Sequence, residues 1–473
     1  MKITAVKNKG LRDLGYTLGA NIISLASGLL ATFAIPKLLS IEEYAYLRVF
    51  TLYLGYLGVF HFGFNDGVYI NYGKQDYEHL PRESFRAYFR FLVLFQCLMA
   101  VLAFGAAAIL LKDKSRIYIY MFLSINIVLT NIIGYFDLIS QFVRRFKVYS
   151  FNLVLSKLLY ILGVVTFLFI NNNKAIYFIA LQTVVNLIIL YIYLMRYKDI
   201  VFGEGKTLRE AKKGIKSNIA VGFFIMFGNF ITITIIGIDR IFVEKFFSVT
   251  EFAMYSFAVS LLSMFYLVIN SITTVVYPYL TRSEDKNKGK TYETMKSVIF
   301  ILIGFCLSGY FVFDIIVRVF IPQYTAALTV TAIIFPTILL SSEINIVTQN
   351  FYKTQKLQKA YTRNNIIVAV IALLTIVAAF FLFKSVIAIA VCSLISFFIW
   401  EIYGDVFFKK ILELNTTRHF VAEILTIGIF IYLALNVKWY FGFIIYITSF
   451  IAITFIFFKR DIKALKNMLL KRS

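Results

Sequence analysis

Three carboxylates and four basic side chains stand where the hydropathy of the chain puts lipid or its boundary, and each needs a chemical reason to be there. Asp137 lies deep in an apolar run and is followed by Ser140 and Gln141. Glu343 lies deep in another, with Ser341, Ser342 and Asn345 beside it. A charge at the centre of a membrane helix costs about 2.5–3.5 kcal/mol on insertion scales. Each of these two is therefore read either as the carrier of a coupled proton or sodium ion or as a structural hydrogen bond between helices. Asp66, after Asn65 and between Gly63 and Gly67, ends a small-residue stretch that either closes an inner gate or marks a helix-ending turn. The basic candidates are Arg48, Lys157, Arg240 and Arg318. An arginine offers an anion a planar bidentate fork and a lysine a point charge. Lys157 sits roughly 7.5 Å into its run at 1.5 Å per residue, shallow enough for its ammonium to snorkel to the interface. Arg318 follows Asp314 by one turn, the spacing of a simple intrahelical pair.

Other chemistries lack their residues. Two Gly-Lys-Thr triplets, 205–207 and 289–291, could pass for phosphate loops, but the required first glycine would stand at Ile200 and at Glu284, and no strand precedes either. His61, His79 and His419 are scattered, and Cys97, Cys306 and Cys392 are single residues inside apolar runs, so no metal site is expected. No catalytic constellation is found, and the longest outer gap, residues 239–252, is too short for an external catalytic loop. The expectation is a protein without cofactor that is not an enzyme.

Fourteen elements must position these residues. The chain has 473 residues, 60% of them apolar and 15% charged, far from soluble usage. With about 20 residues per crossing, apolar runs give spans near 14–36, 47–68, 91–111, 117–141, 152–170, 175–195, 219–238, 253–277, 297–317, 325–349, 366–383, 385–404, 420–437 and 441–458. The first run lacks a small-residue cleavage site and is read as a retained span. The runs do not alternate apolar with polar residues, so they are helices rather than barrel strands. Of the 48 Lys and Arg residues, 36 fall in gaps on the side of the N-terminus and 11 on the other. That bias predicts an even number of spans with both termini cytoplasmic. Most of the +23 net charge is then explained by orientation and anionic membrane lipid, and no nucleic-acid partner is expected.

The chain also echoes itself. Lys37–Ala45 and Lys245–Ala253 align without a gap at an offset of 208, and Lys147, Tyr149 and Asn152 return as Lys359, Tyr361 and Asn364 at 212. Six spans separate the copies, which predicts two parallel six-helix lobes. The expected organisation is an N-terminal lobe (1–203), a basic amphipathic linker helix on the cytoplasmic surface (204–218), a C-terminal lobe (219–413), and an extra pair of spans with a basic tail (414–473). The fold class is an all-α polytopic membrane protein of about 14 transmembrane helices.

Two parallel lobes, the turn at Lys37–Ala45 and the span ending Tyr277, Pro278, Tyr279, Leu280 resemble the polysaccharide-transporter branch of the MOP exporter superfamily, the Wzx-like repeat-unit flippases. The last two spans are similar to those of the lipid II flippases. The resemblance implies a flippase moving a polyprenyl-diphosphate-linked oligosaccharide from the cytoplasmic to the outer leaflet of a bacterial inner membrane. It implies alternating access coupled to an H+ or Na+ gradient, with polysaccharide polymerase and other assembly proteins as partners. In that family spans two and seven line the cavity, which would give Arg48 and Arg240 the diphosphate head group, with Lys157 and Arg318 as further partners. Asp137, Glu343 and Asp66 are then the ion-coupling or gating residues. The alternatives are a cation-coupled multidrug exporter of the same superfamily and a membrane polysaccharide polymerase.

Overall fold

The computed structural model describes residues 19, 23–110, 114–282 and 288–470, and every regular element among them is a helix. This is the form a chain must take where no water can satisfy its backbone. The chain divides into two compact units, Met1–Ile233 and Thr234–Ser473. The first holds α1 (Ile23–Leu38), α2 (Ile41–Leu54), α3 (Phe64–Tyr72), α4 (Arg82–Leu110), α5 (Lys114–Phe142), α6 (Phe146–Phe169), α7 (Ala175–Arg196), the short α8 (Lys198–Val201) and most of α9 (Leu208–Phe246). The second holds the rest of α9, then α10 (Val249–Arg282), α11 (Lys288–Cys306), α12 (Gly309–Phe320), α13 (Ala327–Ile334), α14 (Thr337–Ser342) and α15 (Gln349–Thr354). It ends with α16 (Gln358–Phe383), α17 (Val386–Leu412), α18 (Thr417–Asn436) and α19 (Trp439–Leu470).

Eleven described helices are long and apolar enough to cross a membrane, or up to 13 if each of two bent pairs is one span. The protein is a multi-pass membrane protein. The expected first span, 14–36, lies partly outside the described residues, as do Lys2, Lys7, Lys9 and Arg12.

Two expected spans are broken. Span two bends by 57° between α2 and α3. A tight 3-10 turn, Leu57–His61, leads into Phe62 and Gly63, both left-handed at φ +49° and +79°. The glycine is required twice over, because a Cβ there would also lie 2.3 Å from the backbone of Gly222 on α9. One turn on, Gly67 meets the carbonyl of Asn218 in the same way, at 1.8 Å. The Gly63-x-x-x-Gly67 stripe thus lets α3 and α9 cross backbone to backbone. Span ten bends by 41° between α13 and the segment that starts at Thr337. Pro336 stands at that break, where it supplies no amide donor. Past it, Glu343–Thr348 forms a π-helical turn between α14 and α15.

Residues 204–218 are not a separate surface helix. Thr207 and Glu210 form a reciprocal capping box, the Thr207 amide donating to Glu210 Oε2 at 2.7 Å and the Glu210 amide to Thr207 Oγ1 at 3.3 Å. From there the helix runs unbroken into span seven, burying Ala211 and Ile215 in the core of the first unit while Lys212, Lys213 and Lys216 stay exposed. The outer gap expected over 239–252 also shrinks. α9 continues to Phe246 and α10 starts at Val249, because Ser248 and Glu251 make a second capping box.

Both echoes mark equivalent turns. Ser40 accepts from the Glu43 amide at 3.3 Å and Ser248 from the Glu251 amide at 3.2 Å, so the repeated Ser and Glu residues start helices. The second echo begins α6 and α16. Arg144 and Lys356, again 212 apart, are the left-handed residues before them, at φ +59° and +58°.

Candidate functional site

The bend of span two in the first unit is held by a network of neutral side chains. On α5, Asn131 Nδ2 donates to Gln96 Oε1 of α4 at 2.8 Å and to the Leu57 carbonyl at 3.1 Å, while its own carbonyl accepts from Asn65 Nδ2 at 2.9 Å. Gln96 Nε2 donates in turn to the Phe60 carbonyl at 3.1 Å. One turn away, Asn126 Nδ2 donates to Thr183 Oγ1 at 2.8 Å and Asn186 Nδ2 to Asn126 Oδ1 at 2.7 Å. These amides hold the irregular turn of span two, whose freed carbonyls at Leu57 and Phe60 they satisfy. Beside that turn a cavity of about 190 Å³ is lined by Gly55, His61, Asp66, Asn229 and their apolar neighbours. Within it His61 Nε2 and Asp66 Oδ2 are 3.6 Å apart, and His61 Nδ1 accepts from the Gly63 amide at 3.0 Å. Asp66 therefore belongs to the helix break, at the start of α3.

The interior of the second unit is charged. Lys296 of α11, 1% exposed, places Nζ 2.6 Å from Glu401 Oε1, 2.7 Å from Asp405 Oδ2, 3.1 Å from Glu343 Oε2 and 3.7 Å from Glu423 Oε1. Glu343 and Glu423 are wholly buried, and Glu401 is 2% exposed. Tyr292, one turn before the lysine, donates to Asp405 Oδ1 at 2.7 Å and shares a 2.9 Å hydrogen bond with Thr348. Ser297 Oγ meets His419 Nε2 at 2.9 Å. Four helical segments thus converge: α11, the π-helical turn, α17 and α18. One ammonium faces four carboxylates, and isolated charges of this kind are not stable away from water without compensation.

Of the expected candidates, Glu343 enters this cluster. Asp137 is half-buried on α5 and accepts from the Tyr193 hydroxyl at 2.5 Å, beside Phe136, which packs near-parallel to both Tyr193 and Tyr197. Arg48 lies over the Tyr44 ring at 4.7 Å. Arg240 Nε donates to Ser256 at 3.2 Å, next to buried Asp239, which accepts from Tyr255 at 2.5 Å. Lys157 is exposed on α6. Arg318 holds Asp314 by two bonds of 2.7 and 3.1 Å, the intrahelical pair its spacing suggests. That pair borders a cavity of about 430 Å³ lined also by Tyr310, Lys438, Trp439 and Tyr440.

Sequence reasoning missed Lys296, Glu401, Asp405 and Glu423. The span expected at 297–317 starts one residue after Lys296, which leaves that lysine in the gap counted for the N-terminal side. The usable signals were Glu401 and Glu423 inside apolar runs and the one-turn spacing of Glu401 and Asp405.

The architecture is that of known transporters. The chain is similar to the lipid II flippase MurJ in its inward closed conformation, with a TM-score of 0.67 at 14% identity, covering 96% of this chain and 100% of that one. It is also similar to a multidrug resistance MATE family transporter of the MOP superfamily in its inward-facing conformation, with a TM-score of 0.58 at 10% identity, covering 83% of this chain and 98% of that one. The class is therefore defined by the fold, which this chain shares with both of those membrane proteins. Residues 11–284 match the family described as polysaccharide biosynthesis protein, and the chain belongs to that family. No curated protein sequence matches it.

Proposed function

We propose that this protein is a flippase that carries polyprenyl-diphosphate-linked polysaccharide repeat units from the cytoplasmic to the outer leaflet by alternating access coupled to an ion gradient. The observation that carries the reading is the family match over 11–284 in a chain 96% of which is covered by the fold of a lipid II flippase. The membrane is the inner membrane of a bacterium with both termini cytoplasmic, supported by the 36 to 11 bias of basic residues. Arg48, Arg240 and Lys157 are the head-group partners. Arg318 is the weaker candidate, since Asp314 already takes its guanidinium fork.

Deleting the gene and assaying the leaflet position of polyprenyl-linked saccharides tests this. A complete oligosaccharide carrier accumulating on the cytoplasmic face is the expected result. Single units accumulating outside would mean a polymerase, and unchanged carriers with altered drug tolerance would mean a multidrug exporter. If Arg48→Ala and Arg240→Ala both leave glycan export intact, the head-group assignment is wrong.

A further inference from the structure

The cluster around Lys296 has more negative charge than its own residues can balance. If all four carboxylates ionise, one ammonium leaves three charges uncompensated. Both oxygens of Glu343, both of Glu423 and Oε2 of Glu401 are buried and make no hydrogen bond among the described residues, Glu343 Oε2 and Glu423 Oε1 having only their ion pairs with Lys296. One oxygen each from Glu343, Glu401 and Glu423 lie within 4.8 Å of one another. Like carboxylates packed this closely away from water cannot all remain charged.

Among the described residues, the groups facing the cluster supply no second cation. Tyr292, Lys296 and Ser297 come from α11, Glu343 from the π-helical turn, Glu401 and Asp405 from α17, and His419 and Glu423 from α18. Arg418 of α18 pairs instead with Asp461 of α19 at 3.0 Å. A metal ion held by the three glutamates would sit against the ammonium, whose nitrogen already lies 2.6–3.7 Å from one oxygen of each. Protons need no such space, since a protonated carboxyl donates to its neighbour.

We propose that Glu343, Glu401 and Glu423 form a proton-binding site in which Lys296 is a tethered counter-ion and exchangeable protons complete the charge balance. Asp405, the cluster's most exposed carboxylate with its side chain at 12%, is the entry from solvent. Both ends of the π-helical turn are tied to the site, Glu343 through Lys296 and Thr348 through Tyr292. Proton occupancy therefore acts on a segment whose hydrogen-bond register is already irregular. The role of this site in ion coupling rests on the flippase reading; the binding of protons does not.

The test is infrared difference spectroscopy on the purified full-length protein in lipid, comparing acidic with alkaline buffer, water with deuterium oxide, and sodium-free with sodium-containing solution. The expected result is carboxylic-acid bands at neutral pH that shift in deuterium oxide, titrate with external pH and ignore sodium. Glu343→Gln and Glu423→Gln should each lose one band. Absence of such bands from the unaltered protein overturns the proposal. So does saturable binding of radioactive sodium that abolishes them, or bands that survive both substitutions. If a variant does not fold, carbon-13 labelling of glutamate in the unaltered chain still decides whether the acids are glutamates. No substrate is used, so failure here leaves the flippase reading untouched, and failure of the leaflet assay leaves the proton site standing.

Discussion

The two units solve the problem of a polar interior in opposite ways. In the first, amides pair with amides, hydroxyls and freed carbonyls, and no residue of the Asn65, Gln96, Asn126, Asn131 network carries charge. In the second, a single ammonium is shared by four carboxylates. A neutral network can lose a member and leave a local defect. A charged one must be neutralised as a group, because each partner's cost depends on the others.

The sharpest way to break that contrast is Lys296→Met. Stranding the carboxylates should cost about 3–5 kcal/mol, the usual penalty for removing one partner of a buried pair. It is read as a lowered unfolding midpoint in detergent, and adding Glu401→Gln and Glu423→Gln should restore much of the loss. A Lys296→Met protein as stable as the parent would mean the cluster is not held by charge. Next comes Gly67→Val, which drives a side chain into the Asn218 backbone and should cost about 1–3 kcal/mol or more. Disulfide crosslinking between engineered cysteines on α3 and α9 should fall with it. In the amide network of the first unit, Asn131→Ala removes the partner of Gln96 Oε1 and of the Leu57 carbonyl and should cost about 1–3 kcal/mol, with no change in pH dependence. The smallest effect is expected from the repeated caps. Ser40→Ala and Ser248→Ala should each cost about 1 kcal/mol, and Ser248→Ala the more, since the Ser248 hydroxyl also donates to Glu251 at 2.6 Å. Glu43 instead bonds Lys174 at 3.0 Å and the Ala175 amide at 2.7 Å, serving α7. Equal losses would remove that distinction.

The helices were legible because an apolar run of membrane length has few other uses, and the repeat because its Ser and Glu residues cap helices in both copies. The bends were not. Gly63 and Gly67 announce a close approach, but nothing in the order of residues names Gly222 and Asn218 as the surface approached. Lys296 was misplaced for a related reason: a lysine at the start of a span ordinarily reaches the interface, and its partners Glu401 and Asp405 lie 105 and 109 residues away. Hydropathy records which side chains leave water, not which of them meet. Glu343 stood out because it is the one charged residue in the run 325–349, whereas its role depends on neighbours the chain brings from three other segments. Moving Lys296 out of the cytoplasmic count leaves the charge bias and the topology drawn from it unchanged in sense.

The burial of Lys296 also gives the protein a built-in reporter. An ammonium enclosed by four carboxylates is neither accessible nor nucleophilic, so amine-acylating reagents should mark exposed lysines such as Lys212 and Lys213 and pass it by. The mass of the peptide containing residue 296 would then record, turnover by turnover, whether the C-terminal unit has opened.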